Sequence, residues 1–233
     1  DAGRNDAVVT TPFTFFATAG AVHNVGARPV FADIDPDTFN ISVEAVDEAV
    51  RNTPDAKAVI AVDLFGQMAA IDGLRAILPD GMPIIEDAAQ SIGASRKVNG
   101  KKVMAGEIAD IGTFSFFPSK NLGGYGDGGM VVTQSDELDA RLRRLRTHGS
   151  VKTYFHEEVG YNSRLDALQS VVLEAKLPHL ESWSAARRRN ASLYDNAFAD
   201  LDGVRTPVID PRNESIYNQY TLRAERSEEG RVG

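Results

Sequence analysis

The run Ser115-Phe116-Phe117-Pro118-Ser119-Lys120-Asn121-Leu122-Gly123-Gly124-Tyr125-Gly126-Asp127-Gly128-Gly129 sets one lysine ahead of a glycine cluster, with five glycines among the seven residues 123–129. The β-rich residues 111–116 lead into it, so Lys120 falls just past a predicted strand. A phosphate-binding P-loop has its lysine after the glycines, and here it precedes them. Two readings are open for this segment alone. One is a flexible loop with an exposed lysine. The other is a Schiff-base lysine whose surroundings lower its affinity for a proton.

Upstream, Ile84-Ile85-Glu86-Asp87-Ala88-Ala89-Gln90-Ser91 drives an apolar strand straight into an acid pair. The acids read either as caps of a following helix or as a strand-end carboxylate facing a cofactor. Pyridoxal phosphate needs such a group, because an aspartate paired with its ring nitrogen keeps that nitrogen protonated. Gln90, one predicted helical turn from Asp87, reaches the same ligand. Asp87 and Lys120 are 33 residues apart. Both follow strands, and parallel strands present those ends at one sheet edge.

Working outward, strands are predicted at residues 7–11, 29–32, 58–62, 83–85, 111–116 and 129–133. Helices are predicted at 14–25, from the Ser42 cap through Val50, at 68–78, and after the Ser135 cap along Leu138, Leu142 and Leu145. This alternation predicts βαβ units, a mostly parallel sheet and ligands at the strands' carboxyl ends. Beyond Gly149 the pattern changes to long helices at 166–176 and 179–200, separated by Pro178, with strands at 204–209 and 220–222. The expected division is a large domain at 1–178 and a linking helix plus the start of a smaller α+β domain at 179–233.

Several ordered segments together resemble the DegT-type sugar aminotransferases, which are fold-type I pyridoxal phosphate enzymes. They are Thr11-Pro12-Phe13-Thr14-Phe15-Phe16-Ala17-Thr18, Glu86 to Ser91, Ser115 to Gly129, His148-Gly149 and Gly160-Tyr161-Asn162-Ser163-Arg164-Leu165-Asp166. The resemblance implies an α/β fold of the aspartate aminotransferase type. It also implies roles: Lys120 forms the Schiff base with the cofactor and moves the proton, and Asp87 pairs with the ring nitrogen. Gln90 lies near the phenolic oxygen, Ser115 binds the phosphate and Phe15 stacks on the ring. Asn162 reaches the phosphate of a neighbouring subunit's cofactor, which implies a homodimer with shared sites. The implied reaction moves an amino group from glutamate or glutamine to a nucleotide-linked keto sugar, a 3-keto or 4-keto hexose. Tyr154-Phe155-His156-Glu157 resembles members acting at sugar carbon 3.

Composition narrows the field. The 233 residues carry 25 Lys plus Arg against 33 Asp plus Glu, a net charge of −8, which argues against a nucleic-acid or anionic-membrane surface. Cysteine is absent, which excludes disulfides and thiolate chemistry within the chain and is consistent with a cytoplasmic enzyme. No apolar run approaches the ~20 residues that span a bilayer. His23, His148, His156 and His179 lack metal-ligand spacing, so no metal site is expected. The family's upstream phosphate-binding turn has no counterpart, and the chain starts at Asp1 and stops at Gly233, so a piece truncated at both ends is expected. The rivals are a sugar dehydratase of the same fold, which usually lacks the lysine, a cysteine desulfurase, which needs a cysteine, and a non-catalytic or regulatory remnant.

Overall fold

A computed structural model describes residues 2–224. Nine elements form the first half: β1 (Ala7–Thr10), α1 (Ala17–Asn24), β2 (Arg28–Phe31), α2 (Val43–Arg51), β3 (Ala56–Val62), α3 (Ile71–Ile77), β4 (Ile84–Asp87), β5 (Ser95–Val98) and β6 (Lys101–Met104). Then come β7 (Ile111–Ser115), β8 (Gly129–Val132), α4 (Asp136–Leu145), β9 (Ser150–Lys152), β10 (Phe155–His156), α5 (Ala167–Lys176) and α6 (Leu180–Phe198). Three short strands follow, β11 (Val204–Arg205), β12 (Asn213–Glu214) and β13 (Arg223–Ala224).

The main sheet has the order β2-β1-β3-β4-β7-β8, parallel throughout except for the antiparallel β8. β3 is apolar and buried from Ala58 to Val62 because it is covered on both faces. Val9, Val59 and Ile84 pack with Val46 of α2 and Ile71 and Leu74 of α3 on one face, while Val8, Ala58 and Ile60 pack with Val22 of α1 on the other. Ser42 and Ser135 cap α2 and α4 as expected, accepting from Ala45 and Leu138 N–H, and Asp166 caps α5 through Leu168 N–H. The helical stretch 177–179 holds Pro178 between α5 and α6. Among the described residues no helix is long and apolar enough to cross a membrane.

Four expectations need correction. The helix predicted from Thr14 begins at Ala17, because residues 12–16 turn across the end of β1. The helix predicted from Met68 begins at Ile71, because Asp63 takes the Ala69 amide and the buried residues 67–69 stay outside the helix. The β5–β6 hairpin went unpredicted, since its strands are rich in arginine and lysine; its Asn99-Gly100 turn was the available signal. The predicted strand at 204–209 shrinks to β11, residues 220–222 are not a strand, and β11 pairs with β13. Residues 225–233, part of the expected C-terminal unit, lie outside the described residues.

From β11 the chain returns across the sheet's loops. β12 pairs with β5, and Ile216 is buried against Met68 and Ala94. Residues 215–219 lie along the turn after β3: Ile216 N–H and Ser215 Oγ both donate to Gly66 O, and Gln219 N–H donates to Phe65 O. Arg96, almost fully buried, joins α3 to this return through Asp72 at 2.8 Å and Asp210 at 3.0 Å.

Candidate active site

The carboxyl ends of β1, β3, β4 and β7 meet at one edge, beside the point where the strand order reverses between β1 and β3. Asp87 closes β4 there, opposite Val62 of β3 and Thr113 of β7. Its Oδ2 accepts from Thr18 Oγ1 at 2.9 Å, in the first turn of α1, and its Oδ1 accepts from Ala89 N–H. The acids do not cap a helix: residues 88–94 form successive turns, so Gln90 reaches the site from a turn. Gln90 Oε1 accepts from Phe65 N–H at 2.7 Å, and its amide N–H groups have no partner among the described residues.

Lys120 sits in the turn that follows β7. Its N–H donates to Phe117 O, while Gly124 N–H donates to Phe116 O and Phe116 N–H to Gly128 O. Two hydrogen bonds to α5 pin the glycine stretch: Tyr125 N–H donates to Gln169 Oε1, and Lys176 Nζ donates to Gly123 O. The flexible-loop reading of this segment is therefore corrected. The Lys120 side chain is half-buried and makes no hydrogen bond or ion pair among the described residues. Burial pulls its ammonium below the usual lysine range, and the charge of Asp87 opposes that pull.

Ser115 ends β7, with its Oγ accepting from Phe117 N–H. Phe15 precedes α1 and is 76% exposed, so its ring is not core packing. Asn162 stands apart: it bridges Thr147, accepts from Arg164 and touches none of the other candidates. The fold thus gathers Asp87, Gln90, Ser115 and Lys120 on one edge, brings Phe15 to that edge by chain proximity, and leaves Asn162 on an exposed face.

Thr18 escaped the sequence reading, since a threonine within Ala17-Thr18-Ala19-Gly20-Ala21 looks like helix filler. Asp63 and Glu86 escaped as well. Both are fully buried under the same edge, and burial pushes both carboxyl groups up, Asp63 further because the charge of Glu86 adds to it.

A pyridoxal phosphate fits this donor set. A strand-end carboxylate, an amide with free N–H groups, a hydroxyl and an unpaired, partly desolvated lysine converge, and an exposed aromatic ring stands at the rim. The sequence model of the DegT/DnrJ/EryC1/StrS aminotransferase family matches residues 1–232. The chain belongs to that family. It is 49% identical over 230 residues to the pleiotropic regulatory protein of Geobacillus stearothermophilus, covering 97% of this chain and 60% of that protein. It is 46% identical over 221 residues to the UDP-N-acetyl-3-dehydro-alpha-D-glucosamine 3-aminotransferase of Acidithiobacillus ferrooxidans, covering 94% and 58%. The crystal structure of DesV from S. venezuelae in complex with a ketimine intermediate superposes with a TM-score of 0.91 at 39% identity, covering 98% of this chain and 60% of that one. The family member's chain thus spans about 60% of the length of these relatives. The expected PLP-transferase-like α/β fold is the fold observed.

Proposed function

We propose that the protein containing this chain is a pyridoxal phosphate-dependent aminotransferase acting on a nucleotide-linked keto sugar, with glutamate or glutamine as donor. The observation that carries the reading is Lys120, unpaired and partly desolvated, at the same sheet edge as Asp87 in a chain of this family. Bound pyridoxal phosphate would supply an electron-accepting ring that stabilises negative charge on the carbon next to the amino nitrogen. Asp87 would accept a hydrogen bond from the ring nitrogen and keep it protonated, and Thr18 Oγ1 fixes that carboxylate. Gln90 would donate from its free amide to the phenolic oxygen, and Ser115 Oγ would donate to the phosphate. Phe15 would cover a ring face and exclude water. Lys120 Nζ, once neutral, would take the proton from the donor's α-carbon and deliver it to the cofactor's exocyclic carbon, the net transfer that transamination requires.

The 3-aminotransferase name of the Acidithiobacillus relative supports a 3-keto substrate, in line with Tyr154 to Glu157. A homodimer is part of the proposal. Phe15, Phe16, Tyr154, Val159 and Leu168 are each at least 76% exposed, apolar side chains that a second copy could cover, and the exposed Asn162 would reach that copy's phosphate site. A domain division near Pro178 and a cytoplasmic location are proposed with it.

The test is a visible cofactor band in the intact protein with pyridoxal phosphate. Borohydride should bleach it and Lys120→Ala should abolish it; a band that survives in that variant defeats the assignment. Keto-sugar nucleotides are then screened with glutamate and glutamine, and no turnover with any of them defeats the aminotransferase reading. A second reading has one observation in its favour, the regulatory name of the Geobacillus relative. A regulator without chemistry would bind cofactor and show no amine formation in the same screen.

A further inference from the structure

Asp63 and Glu86 are ionisable, fully buried and unused by the chemistry above. Asp63 follows β3, and Ala61, two residues earlier, lies opposite Glu86 of β4. Side chains alternate along a strand, so both carboxyl groups share the face opposite Asp87. Asp63 Oδ1 accepts from Ala69 N–H at 2.8 Å and Oδ2 from Ser91 Oγ at 2.7 Å. Glu86 Oε2 accepts from Gly106 N–H at 2.8 Å. Glu86 Oε1 is sealed from solvent without a donor, although the Asp63 carboxyl is within hydrogen-bonding reach. Two ionised carboxylates there would repel in a medium that screens poorly. The groups that face them are neutral: a hydroxyl and two backbone amides. The charged groups on neighbouring elements are engaged elsewhere. Asp87 takes Thr18, Glu107 takes Met104 N–H, Asp72 pairs with Arg96, and Asp110 pairs with Arg75.

We propose that Asp63 and Glu86 share a single proton at neutral pH, and that the pair is a positioning device that sets Gln90. The proton gives Oε1 its donor and leaves one negative charge on the pair. Through Ser91, Asp63 then holds the turn carrying Gln90; through the Ala69 amide it holds the turn carrying Phe65, whose N–H fixes the Gln90 oxygen. The positioning half rests on the cofactor reading of Gln90, and the shared proton does not.

Two measurements on the intact protein test this. Infrared spectra at pH 7, with and without pyridoxal phosphate, should show a neutral carboxylic acid carbonyl band that shifts on carboxyl-13C labelling of aspartate. Asp63→Asn, which keeps an N–H donor for Glu86 and an acceptor for Ala69, should lose it. No such band in the parent, or its persistence in Asp63→Asn, overturns the shared proton. Ser91→Ala cuts the link to the Gln90 turn without burying a charge. It should keep the infrared band and raise the pH midpoint of the visible cofactor band by about one unit, as the phenolic oxygen loses a donor to its ionised form. A midpoint equal to the parent's overturns the positioning role. A parent protein that forms no visible band overturns the cofactor reading and the positioning role together, while the infrared result stands by itself.

Discussion

Gly66→Ala is the substitution that weighs most directly how the C-terminal return is held to the site. Gly66 has φ +108°, and a Cβ there would meet the backbone nitrogens of Asn218 at 2.6 Å and Tyr217 at 2.9 Å. A side-chain-bearing residue pays about 1–2 kcal/mol for left-handed backbone. The clash also pushes residues 215–219 away, which threatens the three hydrogen bonds to Gly66 O and Phe65 O, each worth about 1 kcal/mol. The sum is a loss of about 3–5 kcal/mol, or roughly 10 °C in Tm at this chain length. Thermal unfolding followed by circular dichroism measures it. Gly81→Ala is the internal control: φ is +78° there and nothing lies within 4 Å of the added Cβ, so only the backbone cost of about 1–2 kcal/mol remains. Equal Tm losses in the two variants would refute the reasoning, because the clash and the three bonds would then count for nothing.

Thr18→Val removes the hydroxyl that Asp87 accepts. A hydrogen bond to a charged group contributes about 1.5–3 kcal/mol, so transamination should slow at least about tenfold and Tm should fall by several degrees; a rate within twofold of the parent speaks against the role. Lys120→Met should stabilise the cofactor-free protein. Burial lowers the folded-state lysine below its unfolded value, so at neutral pH the charge opposes folding, and the gain should fade as the pH rises toward the unfolded lysine range. Denaturant melts at pH 7 and above 10 read that trend, and a gain that grows with pH contradicts it. At Asp210, burial works to raise the carboxyl, but hydrogen bonds from Arg212 and Arg96 and the charge of Arg96 outweigh it and hold the group well below the usual range. A depressed folded value means stability that is present above pH ~4 and lost as the pH falls. Asp210→Asn should therefore lower Tm at neutral pH and flatten its acid slope; an unchanged slope defeats the assignment.

The parallel sheet was legible because short β-rich segments alternate with helical patterns, with Ala58 to Val62 of β3 a continuous apolar run that burial on both faces imposes. The nearness of Asp87 and Lys120 was legible because strand ends in such a sheet converge, whereas Ser115 is singled out only through the family resemblance and Gln90 through a helical turn that the structure replaces with successive turns. The turns were not. A helix from Thr14 and another from Met68 looked sound by composition, yet both begin three residues later, at Ala17 and Ile71: residues 12–16 form turns, and Asp63 captures the Ala69 amide six residues on. Nor could periodicity reveal that two acids would lie fully buried side by side, because Glu86 and Asp63 come from different strands and each looks like an ordinary strand-end carboxylate.

The crossing of residues 215–219 over Gly66 has a consequence for assembly in time. Gly66 O receives a hydroxyl 149 residues further along the chain, and Asn121, next to Lys120, donates to Ile216 O across 95 residues. A ribosome adding about 5–20 residues per second needs roughly seven to thirty seconds to supply those partners after Gly66 is made. The sheet can pair during that interval, but the turn that steadies Gln90 and the neighbour of the reactive lysine stay unbraced until the late segment arrives. The bracing of Gly66 and Asn121 is therefore a late event in the biogenesis of this protein, whatever the order in which its strands form.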